Sequence, residues 1–251
     1  MSSWCALERE LDLWAEAGRA ADVWWRDDDA VAPSDALARL FALAARVQAP
    51  LGLAVIPAEA TRALPRHCDA LATPLQHGYA HRNHAGPDEK KCELSDRRER
   101  QQVRDELTRG AAIMAELLGA RALPVLVPPW NRIGPRTAAG LAALGFRGLS
   151  CYGPRTAAVP GLCQVNTHLD ILRWRPSRGF LGEAEALGQL LGLLEDRRRS
   201  GDGEPVGLLT HHLVHDAAAW QFCERLLELL ARHRGARLRK PAELFAVTGP
   251  D

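Results

Sequence analysis

The sequence predicts one α/β domain, residues 1–251, folded as a distorted parallel (β/α) barrel of about seven strands. Two observations carry that expectation. Short apolar runs alternate with amphipathic helical patterns along the whole chain, the signature of a parallel sheet with helical crossovers. No internal repeat or low-complexity linker divides the 251 residues, and 47% of them are hydrophobic, enough to fill a barrel core.

Trp4, Leu7, Leu11 and Trp14 recur at helical spacing, so residues 1–20 should form a helix packed on the barrel. The apolar runs at 21–25, 51–56, 72–76, 123–127, 146–151, 163–167 and 206–210 read as buried strands. Pro33-Ser34-Asp35 starts a helix carried by Leu37, Leu40, Phe41 and Ala44. Ser95 should cap a long helix with Val103, Leu107, Gly110, Met114 and Leu117 on one face. Pro135 opens a further helix that Gly145 ends, and two more occupy 183–199 and 219–234.

Composition narrows the function. Lys and Arg number 32 against 31 Asp and Glu, a net charge of +1 that argues against nucleic-acid and membrane-surface partners. The basic runs Arg97-Arg98, Arg197-Arg198-Arg199 and 232–240 read as solvated helix faces and ends. Cys5, Cys68, Cys92, Cys151, Cys163 and Cys223 form no C-x-x-C pair, so neither a zinc knuckle nor a redox dithiol is expected. The first eight residues carry charge too early for a secretory signal, and no apolar stretch could span a bilayer. A cytoplasmic protein with free thiols is the expectation.

Five polar clusters each follow an apolar run, where parallel α/β folds assemble their sites. They are Asp27-Asp28-Asp29, His77 with His81, the Trp130 segment, Asp170, and His211-His212. Two histidines four apart can present imidazoles to one divalent ion. Isolated, they read as surface histidines; a carboxylate cluster at another strand end favours metal. Three adjacent aspartates repel one another unless a cation intervenes. One could bind a metal while another takes a proton from water. Only one of His211 and His212 should face the site, because strand side chains alternate. Trp24, Trp25, Trp130 and Trp174 could stack on sugar rings, although tryptophans are more often core residues.

The order of these segments resembles the polysaccharide deacetylase family, metal-dependent carbohydrate de-N-acetylases on a distorted β/α barrel. Arg26-Asp27-Asp28-Asp29-Ala30 stands at that family's T-F-D-D-G motif, and His77-Gly78-Tyr79-Ala80-His81 at its H-[ST]-x-x-H. Val127-Pro128-Pro129-Trp130-Asn131 partly matches R-x-P-[FY]-[GN]; Asp170 with Trp174 matches the fourth motif, and Leu209-Thr210-His211-His212 the L-x-x-H of the fifth.

The resemblance implies hydrolysis of an N-acyl group, N-acetyl foremost, on a sugar or small amide. It implies Asp27 as general base and Asp28 as metal ligand with His77 and His81. Shifted by one residue, the same motif gives Asp28 and Asp29; a D-x-D version gives Asp27 and Asp29. His212 aligns with the general acid, His211 being the alternate. The backbone amide near Trp130 would stabilise an oxyanion, and Asp170, Trp174 and Trp25 would line the substrate groove. Zinc is the first choice of ion, with cobalt or iron suited to the same ligands. Val127 replaces the third-motif arginine that orients the base; Arg132 and Arg26 are its candidate substitutes. Two rivals remain: a hydrolase of cyclic amides or ureides, and a degenerate barrel that only binds carbohydrate.

Overall fold

Buried apolar strands can satisfy their backbone only by pairing, and the chain pairs them side by side in one parallel sheet. A computed structural model describes residues 3–68, 70–155, 158–175 and 178–245. In chain order the strands are β1 (Ala21–Ala30), β2 (Leu51–Val55), β3 (Ala72–His77), β4 (Val125–Val127), β5 (Gly148–Leu149), β6 (Cys163–Gln164), β7 (Leu169–Asp170), β8 (Leu172–Arg173), β9 (Gly179–Phe180), β10 (Val206–Thr210) and β11 (Ala236–Leu238). The helices are α1 (Ser3–Glu16), α2 (Asp35–Val47), α3 (Leu64–His67), α4 (Arg100–Leu118), α5 (Pro135–Ala139), α6 (Glu183–Ser200), α7 (Ala217–Arg232) and α8 (Pro241–Leu244), joined in places by 3-10 turns.

The main sheet runs β6-β5-β4-β3-β2-β1-β10-β7, all parallel, with β11 beside the start of β1. Its two ends are neighbours in sequence. The run 163–170 pairs with β5 through its first half and with β10 through its second. The amides of Val165 and Thr167 bond toward β5, and that of His168 bonds Gly207 in β10. One continuous segment thus closes the ring. Counted as one stave it gives the seven expected, and β11 is the addition, too short and half-buried to announce itself by pattern. The hairpin β8–β9 lies apart from the ring.

The wall separates two cores. Trp24, Leu75, Val125, Val127, Val165 and Phe245 fill the lumen. Outside, Trp25, Leu51 and Leu53 pack against α2 and α7 residues such as Leu40, Leu226 and Leu227. Helix α1 lies against α6, where buried Glu10 accepts two hydrogen bonds from Arg198. Ser34 caps α2 as its sequence suggested, accepting from the Leu37 amide at 3.1 Å. Helix α4 departs from expectation. Glu99, not Ser95, receives its first amides, because Ser95 sits in the preceding turn and binds the Arg97 amide. Among the described residues no helix is long and apolar enough to cross a membrane.

Trp24 decides how closely two staves approach. Its Nε1 donates to the Asn166 carbonyl at 2.9 Å. It does so over Gly207, where a Cβ would stand 2.5 Å from both that oxygen and Thr167 Cα. Backbone cannot retreat from such a contact as a side chain would. Gly207→Ala is therefore expected to cost roughly 1–3 kcal/mol. A urea unfolding curve reads this as a lowered midpoint with an unchanged slope.

Candidate metal centre

Strand alternation sends neighbouring residues of β1 to opposite sides of the wall. Trp25 and Asp27 face the outer core; Arg26 and Asp28 face the lumen with Trp24. Trp25, expected to stack on substrate, is wholly buried, with its Nε1 on Thr210 Oγ1 at 2.8 Å. It is a core residue.

Asp27 is also fully buried. It accepts from the Thr210 hydroxyl at 2.6 Å, the His212 amide at 3.0 Å and His212 Nδ1 at 2.5 Å. Burial works against its charge, but the His212 charge and hydrogen bond outweigh it and lower the Asp27 pKa. His212 is 2% exposed. Burial depresses its pKa, yet the Asp27 charge prevails and raises it. The two expected catalytic residues therefore form an ion pair behind the wall, away from the mouth.

Asp28, expected as a ligand, is held by Arg26. Nε and Nη2 of that fully buried arginine donate to its two carboxylate oxygens at 2.8 and 3.0 Å. The rest of the guanidinium is anchored as well: Nη2 donates to Asn131 Oδ1 at 2.6 Å, and Nη1 to Ser150 Oγ at 2.7 Å and to its carbonyl at 3.1 Å. Arg132, the other proposed substitute for the third-motif arginine, turns away to the Lys91 carbonyl at 2.9 Å.

Asp29 completes the cluster. In a regular strand it would face outward beside Asp27. The β1–β2 register shifts between Asp27 and Ala30, and Asp29 takes a left-handed φ of 72°. This irregularity swings its carboxylate to the mouth, as bulges do beside functional sites. Asp29 Oδ1 lies 3.2 Å from His77 Nε2 and 3.4 Å from His81 Nε2. The place expected for Asp28 beside the two imidazoles is thus taken by Asp29.

The histidine segment is shaped by a residue that sequence reasoning missed. Glu93 is 1% exposed and accepts from the amides of Tyr79, Ala80 and Arg82. Those bonds curl the segment until His81, at φ 53°, brings its ring 5.1 Å from that of His77. Gly78 is required there, since a Cβ would collide with Glu93 and Pro129. A glutamate twelve residues beyond a histidine carries no spacing signal. His77 Nδ1 donates to the Val127 carbonyl at 2.9 Å, which fixes the ring with Nε2 facing Asp29.

The donor set suits a cation. Asp29, His77 and His81 offer ligand atoms all within 4.8 Å of one another, and buried Asp29 Oδ1 has no hydrogen-bond partner. Burial works against the Asp29 charge, but the surrounding imidazoles of His77, His211 and His81 hold its pKa below the usual carboxylate range. Burial likewise lowers the His77 pKa, but the Asp28 and Asp29 charges raise it, so a metal ion would take the place of a proton there. Burial, then the His77 charge, lowers the His81 pKa and keeps that imidazole neutral. An ionised carboxylate and two imidazole nitrogens make up a two-histidine, one-carboxylate donor set.

His211 stands at the mouth. Its ring packs edge-on against Trp174 at 4.7 Å, and its Nδ1 lies 4.0 Å from Asp170 Oδ1. Burial raises the Asp170 pKa, with the His211 charge opposing it; Trp174 Nε1 donates to its other oxygen at 2.7 Å. Across the opening, Trp130 holds a left-handed φ of 55° and packs its ring 4.4 Å from His81. The site therefore gathers Asp28, Asp29, His77, His81, Trp130, Asp170, Trp174 and His211, and leaves out Trp25, Asp27, Arg132 and His212.

No protein-family model matches this sequence, and no curated protein sequence does. Solved structures do match in shape. A putative polysaccharide deacetylase from Mycobacterium smegmatis aligns over 92% of this chain and 96% of its own, with a TM-score of 0.63 and 16% identity. The Bc1960 peptidoglycan N-acetylglucosamine deacetylase, in complex with an N-hydroxybenzamide, aligns over 90% and 88%, with a TM-score of 0.58 and 13% identity. A family 4 acetyl xylan esterase from Clostridium thermocellum, in complex with cobalt, aligns over 89% and 90%, with a TM-score of 0.54 and 16% identity. The chain has the fold of these deacetylases and esterases.

Proposed function

We propose that the protein is a metal-dependent hydrolase that removes an N-acyl group, N-acetyl foremost, from a sugar or small amide. The observation that carries this reading is the convergence of Asp29, His77 and His81 around an unpartnered carboxylate oxygen, with Asp28 and His211 beside them. The fold it shares with deacetylases and esterases, one of them holding cobalt, agrees with it.

Asp29, His77 and His81 are the residues that would hold the ion. Zinc is our choice, since two imidazoles and one carboxylate leave positions open for water and substrate. A bound divalent ion acidifies water and polarises a carbonyl. Asp28 accepts the proton of the attacking water. Arg26 is its positioning residue: two hydrogen bonds from a buried, fully anchored guanidinium leave the carboxylate one orientation. The Trp130 amide stabilises the oxyanion, the next two amides being spent on Pro128 and Pro129 carbonyls. His211 protonates the departing nitrogen while Asp170 orients its ring.

Arg26 also weighs against a degenerate barrel. Loss of the third-motif arginine was the feature favouring that rival, and a guanidinium stands against the base all the same.

Two experiments test the assignment. Asp29→Ala and His77→Ala should each purify with little bound metal by elemental analysis, whereas Asp28→Asn keeps its metal and loses turnover. Full occupancy in Asp29→Ala would remove the ligand assignment. His211→Ala should slow acetate release from N-acetylated substrates by about a hundredfold or more with thermal stability kept. His212→Ala should instead lower stability by about 3 kcal/mol, because it strands the buried Asp27 charge. The reverse pattern would return the acid role to His212.

A further inference from the structure

The two tryptophans of the mouth share a feature that the proposed chemistry does not use. Trp130 follows β4 of the main sheet, and Trp174 follows the separate strand β8 that comes just after β7, so they reach the centre from different segments of the chain. Each touches a site histidine, Trp130 on His81 and Trp174 on His211. Each also carries an exposed cation on its ring. Lys91 Nζ lies 5.8 Å from the Trp130 centroid, and the Arg178 guanidinium carbon 5.4 Å from that of Trp174.

Neither cation has a carboxylate partner among the described residues. The acids of the mouth are already engaged: Asp28 by Arg26, Asp29 by the two imidazoles, Asp170 by Trp174 Nε1. Glu93 is buried on backbone amides, and Glu89 is paired with Arg97. A chain of net charge +1 therefore presents positive charge on both sides of its site. Stacking on indole fixes where the two charges stand and leaves their outer donors free.

We propose that the substrate carries an anionic oxygen group, a carboxylate or a phosphate, on the same sugar as its N-acyl nitrogen, and that Lys91 and Arg178 select for it. The inference rests on the hydrolase reading above and narrows its substrate class to acidic N-acyl sugars. A neutral sugar would gain the aromatic faces alone. A charged one gains ion pairing with the two cations as well.

The test compares neutral N-acetylglucosamine with N-acetylglucosamine 6-phosphate and N-acetylmuramic acid, measuring calorimetric binding and acetate release on the zinc-loaded protein. At least one charged sugar should bind about tenfold or more tightly than the neutral one, and its identity distinguishes phosphate from carboxylate. Lys91→Ala and Arg178→Ala should each shrink that preference by about three- to tenfold, and 0.5 M salt should shrink it further. Charged and neutral sugars binding alike, or a preference surviving in the double variant, overturns the proposal. Selective binding of the charged sugar without acetate release upholds the anion subsite while the hydrolase reading fails. Acetate release with no charge preference does the opposite.

Discussion

Three adjacent carboxylates on a central strand are an electrostatic problem before they are a site. Like charges this close raise one another's pKa unless each finds compensation. Here each aspartate has its own. Asp27 is met behind the wall by His212 and Thr210, Asp28 in the lumen by Arg26, and Asp29 at the mouth by two imidazoles. The rest of the centre follows from that partition. With Asp27 fixed outside, the chain leaves β10 in one orientation and His211, the residue before His212, is delivered to the mouth. With Asp28 clamped, the carboxylate left without a hydrogen bond on its inner oxygen is Asp29, the one a metal can take.

The partition is mechanical as much as electrostatic. Alternation alone would give two outward aspartates and one inward. The shift of register after Asp27 converts this to one outward and two toward the mouth. A left-handed aspartate is costly, and so are His81, Trp130 and Asn131, which share that region of backbone space. Four non-glycine residues in left-handed conformations within one cluster need an over-determined surrounding. Glu93 on three amides, and Asn131 on the Arg26 guanidinium, provide part of it. Rigid strands thus set the distances, and a few strained turns set the directions.

Much of this was legible in the sequence, because strand ends are where parallel barrels place chemistry. The seven staves, the alternation with helices and the residues that gather at the mouth follow from apolar runs and what comes after them. What was not legible is which of several neighbours faces inward. Strand parity could have separated His211 from His212 and aligned Arg26 with Asp28, since both are matters of odd and even. Asp29 could not have been read in this way. Its direction depends on a bulge set by pairing with β2, a non-local event with no mark in β1 itself. Glu93 escaped for a related reason: its partners are backbone amides, which every sequence has.

The displaced arginine shows what a motif encodes. In the family this chain resembles, the base-orienting guanidinium comes from the third motif, whose place is taken here by Val127. Arg26 reaches the same carboxylate from two residues upstream on the same strand face, where alternation makes the pairing nearly obligatory. A guanidinium so close in sequence costs little chain entropy to bring to Asp28, while Ser150 and Asn131 hold its far side. The vacated position then accepts an apolar side chain, and Val127 joins the lumen core under the site. Moving the charge from β4 to β1, three places along the sheet, therefore exchanges a long-range contact for a local one and adds apolar packing beneath the proposed metal ligands. What is kept is a guanidinium against the proposed base, and this chain supplies it from the base's own strand.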